Sequence, residues 1–175
     1  MSEKQLIAGC LKGDRKSQKE LYDLYSRKMM GVCLRYVGDR ETARDLLQDA
    51  FVKVFTSLDT FTGTGTLDGW IRAIFVNSAL EHLRKRDILR DSIDIESMHE
   101  VLEDEDTAIS KMSAGELMEL VQSLPEGFKA VFNLYAIEGY SHKEIAGKLH
   151  ITESTSRSQY ARARKWLQER INRYE

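Results

Sequence analysis

Apolar residues recur every three or four positions through most of this chain, the spacing that lines one face of an α-helix. The clearest stripe is Ala43, Leu46, Leu47, Ala50, Phe51, Val54, Phe55 and Leu58, with Arg44, Asp45, Gln48, Asp49 and Lys53 on the opposite face. Three further helices are expected before residue 87. A short one holds Leu6, Ile7, Cys10 and Leu11 and stops at Gly13. Asp14 caps a longer one with Leu21, Leu24, Tyr25, Val32, Cys33 and Tyr36 inward, ended by Gly38. The segment 59–66, DTFTGTGT, is too rich in Thr and Gly to continue a helix and reads as a loop. Thr66 then caps WIRAIFVNSALEHLRKR, in which Ile71, Ile74 and Phe75 form a core stripe.

The same period returns near the carboxy terminus, now with stronger punctuation. Ser113 with Glu116, and Ser141 with Glu144, are capping boxes, in which each side chain satisfies a backbone donor left free at a helix start. Leu117, Leu120, Val121 and Leu124 make the first of these helices, and Pro125 suits the opening turn of the next. Ile145, Ala146 and Leu149 give the helix after Ser141 one apolar face, and Ala146 is small enough for another helix to approach closely. His150 and Ile151 form a turn, and Thr152 caps a last helix with Ser156, Tyr160, Ala163, Leu167 and Ile171 inward. Helix, tight turn and second helix in this order predict a helix-turn-helix, an arrangement that places side chains in the DNA major groove.

Composition adds that the fold is all-α. There is one proline, and β-branched residues form few runs. The net charge of -2 conceals an asymmetry: residues 1–86 hold 15 basic and 11 acidic side chains, residues 87–110 hold one and nine, and residues 111–175 hold ten and eight. Two mildly basic bodies flanking an acidic connector suit polyanion binding at both ends. The run Glu103 to Asp106 repels itself and reads as a solvated linker. The expected organisation is therefore a domain over 1–86, an acidic linker over 87–112 and a helix-turn-helix domain over 113–175. No stretch is apolar enough to span a bilayer and no signal-peptide core follows the first residues, so a cytoplasmic protein is expected.

Candidate chemistry is that of binding. Cys10 and Cys33 fall on apolar faces as free thiols, and His82, His99, His142 and His150 lack ligand spacing, so neither metal nor cofactor is expected. No nucleophile with its base and no phosphate-cradling loop occurs, and a non-enzyme is expected. On the last helix Arg157, Ser158, Ala161, Arg162 and Arg164 are left outward, within a stretch to Arg173 that carries six cations against Glu169. In the amino-terminal half, Trp70 beside the Thr/Gly loop, with Arg72, Asn77 and Arg84 to Arg86, offers an aromatic surface, a polar edge reader and cations, the set that unstacked bases require.

The order DLLQDAFVKVF, a Thr/Gly loop, WIRAIFVNSALEHLRKR, an acidic spacer and LPEGFKAVFNLYAIEGYSHKEIAGKL with its helix-turn-helix resembles a bacterial RNA polymerase sigma factor of the extracytoplasmic-function (ECF) group. The likeness covers nearly the whole chain. It implies an amino-terminal domain that binds the polymerase clamp and melts the promoter -10 element, and a carboxy-terminal domain that reads the -35 element. Asp45, Leu46, Gln48, Asp49, Val52 and Phe55 then stand where family members meet core polymerase. Phe61, Thr62, Gly63, Thr64, Gly65, Thr66 and Leu67 match the loop that captures a flipped -10 base, with Trp70, Arg72, Asn77 and Arg84 on the helix behind it. Thr155, Ser156, Arg157, Ser158, Ala161, Arg162 and Arg164 match the -35 recognition helix. Two departures stand out: the family usually has a small apolar residue where this chain has Ser156, and often Gly near His150. The resemblance also implies an anti-sigma partner, commonly membrane-bound, and a linker threading the polymerase.

A helix-turn-helix regulator with a sensing or dimerisation domain over 1–86 is the alternative. Such a regulator binds duplex DNA by itself, as a dimer on paired half-sites, whereas a sigma factor needs core polymerase and touches two elements asymmetrically. A helical adaptor without a DNA role is disfavoured by the exposed Arg157 and Arg162.

Overall fold

The computed structural model describes residues 1–85 and 112–173, and all regular structure among them is helical. The acidic connector, including Glu103 to Asp106, lies outside the described residues apart from Met112. The chain divides into two compact units that part after His82.

The first unit contains α1 (Glu3–Leu11), α2 (Arg15–Val37), α3 (Arg40–Ser57), a single 3-10 turn at Leu58–Thr60, and α4 (Leu67–Lys85), which runs through the boundary. Each start has a local cause. Ser2 and Gln5 form a capping box on α1, the Asp14 carboxylate accepts from the Ser17 amide at 2.9 Å, and Asp39 accepts from the Glu41 and Thr42 amides. Gly38 ends α2 in the left-handed conformation (φ 73°), where a side chain would be strained. α1 lies so close to α2 that a Cβ on Gly9 would fall 2.1 Å from the Ser17 hydroxyl. Only a glycine fits that crossing.

The core of this unit is apolar almost throughout. Leu21, Met29, Val32, Cys33 and Tyr36 of α2 meet the α3 stripe and Leu58, while Leu67, Ile71, Phe75, Val76, Ala79 and Leu80 of α4 are buried. Phe51 joins the elements, with its ring centroid 4.7 Å from that of Tyr22 and 5.2 Å from Phe75 in edge-on contact. Ion pairs at the surface, Lys28–Asp68 at 2.5 Å and Lys53–Glu81 at 2.7 Å, tie α4 to α2 and α3.

Two expectations are corrected here. Leu24 is 61% exposed, not inward. At about 100° per residue it sits roughly 60° round α2 from Leu21, on the side away from Val32, Tyr36 and Met29, so the buried face turns away from it. The stripe on α4 is also wider than Ile71, Ile74 and Phe75: Ile74 is half-buried, whereas Val76, Ala79 and Leu80 are covered. This helix is buried over much of its circumference, which blurs its period.

The second unit contains α5 (Ala114–Ser123), α6 (Glu126–Phe132), a π-helical turn at Asn133–Ile137, α7 (His142–Leu149) and α8 (Glu153–Ile171). Both expected capping boxes are present, on Ser113/Glu116 and Ser141/Glu144, and Thr152 caps α8 through the Thr155 amide at 3.1 Å. Leu120, Val121, Leu124, Phe132, Ala163, Leu167 and Ile171 make one cluster, flanked by Met112, Leu117, Phe128, Ile137, Tyr160 and Trp166. Polar groups are buried beside it: Lys129, Asn133, Ser156 and Gln159. The Asn133 side-chain amide donates to the Lys129 carbonyl at 3.0 Å where the helix widens into the π turn.

Candidate nucleic-acid interfaces

In the second unit, α7 and α8 are joined by His150 and Ile151. His150 has φ 55° and ψ 44°, a left-handed helix end without the usual glycine. Its amide and that of Ile151 both donate to the Ala146 carbonyl, which closes the turn tightly. Ile145 and Leu149 of α7 are buried and Ala146 is half-buried, so the first helix of the pair is held by its apolar face. α8 then presents Arg157 at the surface. The guanidinium pairs with Glu153 one turn earlier at 3.1 Å, an exposed contact that a phosphate or base edge can displace at small cost. Ser158, Ala161, Arg162 and Arg164 are half-buried along the helix, with the Arg164 guanidinium 5.9 Å from the Tyr160 ring centroid. Thr155 is half-buried and shares a hydrogen bond with the Thr152 hydroxyl at 2.9 Å, and Ser158 donates to the Thr155 carbonyl.

Ser156 is corrected as a contact residue. It is 0% exposed, and its hydroxyl lies 2.8 Å from Nδ1 of His142. It faces the first helix of the pair, so it cannot offer its side chain to DNA.

In the first unit, Thr62, Gly63, Thr64, Gly65 and Thr66 are all exposed between the 3-10 turn and α4. Gly63 and Gly65 have φ of 80° and 81°, and Thr62 bonds both the hydroxyl and the amide of Thr64. The loop is therefore shaped by two glycine-only conformations with one threonine bridge between them. The Thr66 hydroxyl accepts from the Gly69 amide at 3.0 Å and starts α4. Leu67 is buried and anchors the end of the loop. Phe61 and Trp70 pack across the loop's base at 5.6 Å between centroids, each half-buried. Trp70 thus holds the loop without being swallowed by the core. Asn77 is exposed two turns along α4, on nearly the same face as Trp70, because seven residues return within about 20°. Arg72 is half-buried, and Arg84 is exposed two further turns on.

On α3, Asp45, Gln48, Asp49 and Val52 form an exposed ridge, with Val52 61% exposed, and Phe55 is half-buried at its end against Phe51. Leu46 is corrected: at 6% exposure it belongs to the core stripe and is unavailable to a partner in this conformation.

Burial pushes the Cys33 thiol up to about 12, and the Cys10 thiol is raised by burial and by the nearby Asp14 and Glu20, so both are inert. Among the described residues no group of three or more His, Cys, Asp and Glu side chains converges as a metal site, and no helix is long and apolar enough to cross a membrane. One functional candidate is not legible in the sequence. His142 stacks on Tyr135 at 4.3 Å with 11° between planes, faces Tyr160 at 5.9 Å, and lines a groove of about 630 Å³ with Tyr140, Lys143, Glu153 and Arg157. Nothing in its spacing marks it, since its partner Ser156 lies fourteen residues on and across a turn.

Two family models match the chain: sigma-70 region 2 over residues 21–88 and sigma-70 region 4 over residues 114–167. An ECF RNA polymerase sigma-E factor of Haemophilus influenzae is 29% identical over 98% of this chain and 96% of its own length. An RNA polymerase sigma-H factor of Pseudomonas aeruginosa is 28% identical over 93% and 90%, and the Escherichia coli K12 sigma-E factor 26% over 98% and 95%. Among solved structures, the sigma factor RpoE in complex with the anti-sigma factor NepR from Bartonella quintana aligns with a TM-score of 0.52 at 21% identity, over 86% of this chain and 94% of that one. CnrH in complex with the cytosolic domain of CnrY aligns at 0.50 and 20% identity over 99% of both chains. These two share the fold. Taken with the helical architecture, the matched regions establish that the chain belongs to the sigma-70 family of RNA polymerase sigma factors, in its extracytoplasmic-function group, and serves promoter recognition in transcription initiation.

Proposed function

We propose that the two units divide this work as follows. The α3 ridge of Asp45, Gln48, Asp49, Val52 and Phe55 docks on core polymerase. The loop Phe61 to Leu67 receives an unstacked -10 base, with Trp70, Arg72, Asn77 and Arg84 behind it. Thr155, Arg157, Ser158, Ala161, Arg162 and Arg164 meet the -35 element. Strand opening is driven by binding energy, because an extruded base must be stabilised by stacking and edge contacts in place of those it leaves. The observation that carries this reading is that an exposed, glycine-shaped loop on an aromatic base and a capped, Arg-bearing helix-turn-helix occur in one chain. The protein acts in the cytoplasm without cofactor or catalysis of its own. Its activity is restrained by an anti-sigma protein, the kind of partner that the Bartonella quintana sigma factor is bound to.

Transcription of a promoter library by core polymerase with and without the chain tests the whole reading. Specific start sites with two sequence elements upstream are expected only when the chain is present. Charge reversal at Asp45 and Asp49 should weaken core capture, because like charges at a docking surface are costly, yet shift folding stability by only about 0.5 kcal/mol. Circular dichroism of the same variants checks the second half. A chain that ignores core polymerase but binds duplex DNA alone as a dimer belongs to the regulator reading instead.

A further inference from the structure

We propose that His142 is a positioning residue for promoter reading: its hydrogen bond to the buried Ser156 fixes how α8 seats on α7, and hence where Arg157 points. The inference rests on the -35 role given above to α8. Ile145 and Leu149 are buried on α7, and apolar groups attract without specifying rotation. A hydrogen bond at 2.8 Å does specify it. Ser156 is fully covered, so its hydroxyl proton needs an acceptor inside the fold, and Nδ1 of His142 is placed to be one. The ring is held in turn. Tyr135, carried outward by the π turn, lies flat on one face at 4.3 Å, and Tyr160 approaches at 5.9 Å. Arg157 follows Ser156 directly on α8, so a change of seat at Ser156 is transmitted to that guanidinium without any intervening flexible joint.

The arrangement favours a neutral ring protonated at Nε2, leaving Nδ1 to accept from Ser156. His142 is the first residue of α7, where the free backbone amides oppose a cation. Burial, then Arg157, lowers its pKa from the ordinary histidine value, while Glu153 acts the other way. The other groups around the ring are Tyr135 from the π turn, Tyr140 from the connection to α7, Tyr160 from α8, and Lys143 on its own helix. A proton on Nδ1 reverses the bond and forces the Ser156 proton to seek a backbone carbonyl one turn back. Because the ring's pKa is lowered, the seat loosens only as pH falls below the ordinary histidine range.

The test uses the full chain with core polymerase on two templates that differ only in the -35 segment, taken from a promoter recovered in the library experiment. His142→Ala and Ser156→Ala should each cut the output that depends on the -35 segment by about two- to tenfold, the range one net hydrogen bond gives. The pair together should be no worse than either alone. His142→Asn, whose amide oxygen can take the Ser156 proton, should restore most of the output and remove its decline at low pH. Imidazole 15N spectra of the free chain provide a readout independent of promoters: the Nε2–H form is expected, and Ser156→Ala should shift the His142 titration. Additive losses, or an Asn variant as weak as Ala, overturn the positioning role. Spectra unchanged by Ser156→Ala overturn the hydrogen bond itself. A native chain that drives no promoter with core polymerase defeats the sigma reading and this inference with it.

Discussion

The two units solve the same problem, burying the faces of short helices, with different materials. Among the described residues, the polar side chains covered in the first unit are Ser17 and Ser78, and its interior is filled by Phe51, Phe75, Tyr36, Met29 and aliphatic side chains. The second unit covers Lys129, Asn133, Ser156 and Gln159 beside a smaller apolar cluster. Apolar packing is non-directional and stabilises in proportion to the area removed from water, whereas buried polar groups stabilise little but fix geometry, since an unmet partner is costly. The first unit is thus built to resist, with its working residues on an external loop and ridge. The second spends stability on the orientation of one helix.

The sharpest way to break this contrast is to remove volume from the first unit. Phe75 is fully covered and edge-on to Phe51, so Phe75→Ala should cost roughly 3–5 kcal/mol in denaturant unfolding. A loss below about 1 kcal/mol would mean that the aromatic centre is not what holds α4.

An exposed reader in the second unit should behave in the opposite manner. Arg157→Ala is expected to cost about 1–3 kcal/mol at the -35 element. Its ion pair with Glu153 is exposed, so the thermal midpoint should scarcely move. Output from templates with and without the -35 segment, alongside a melting curve, separates the two effects.

The polar interior of the second unit also predicts a gain. Burial holds the Lys129 ammonium below the ordinary lysine range, with Glu126 pulling the other way. The unfolded chain then binds more protons than the folded one between the lowered value and about 10.4, so stability rises with pH through that window and is lost as pH falls through it. Lys129→Met should therefore stabilise the unit at neutral pH by roughly 1 kcal/mol and flatten the alkaline rise. Unfolding curves at neutral and alkaline pH check both the sign and the slope. A destabilised variant would show that the ammonium has a partner worth more than its burial costs.

The smallest effect is expected at the turn. His150 holds a left-handed conformation that costs a side chain about 1–2 kcal/mol, part of which glycine returns as lost chain entropy. His150→Gly should stabilise by roughly 0.5 kcal/mol in the same unfolding assay, with promoter output preserved. A loss of stability would assign the imidazole a contact that outweighs the strain.

Local chemistry is legible in the sequence by itself. The capping boxes at Ser113/Glu116 and Ser141/Glu144, the caps Asp14 and Thr152, the stop at Gly38 and the break at 59–66 depend on residues within a few positions of one another, and the helices begin and end where those signals place them. The α3 stripe is equally plain, because one face of it is covered and the other is not. Tertiary structure decides what each face meets. Period gives the angle of a side chain round its helix but not which neighbour covers it, so Leu24 reads as inward and is exposed, whereas Leu46 and Ser156, which period places inward and the resemblance matches to contact positions, are buried as period has them. The burial of α4 on several sides, the π turn that brings Tyr135 over His142, and the bond from His142 to Ser156 all join residues from different elements. A sequence specifies its own backbone hydrogen bonds locally. The partners of its buried side chains exist only once the helices have met.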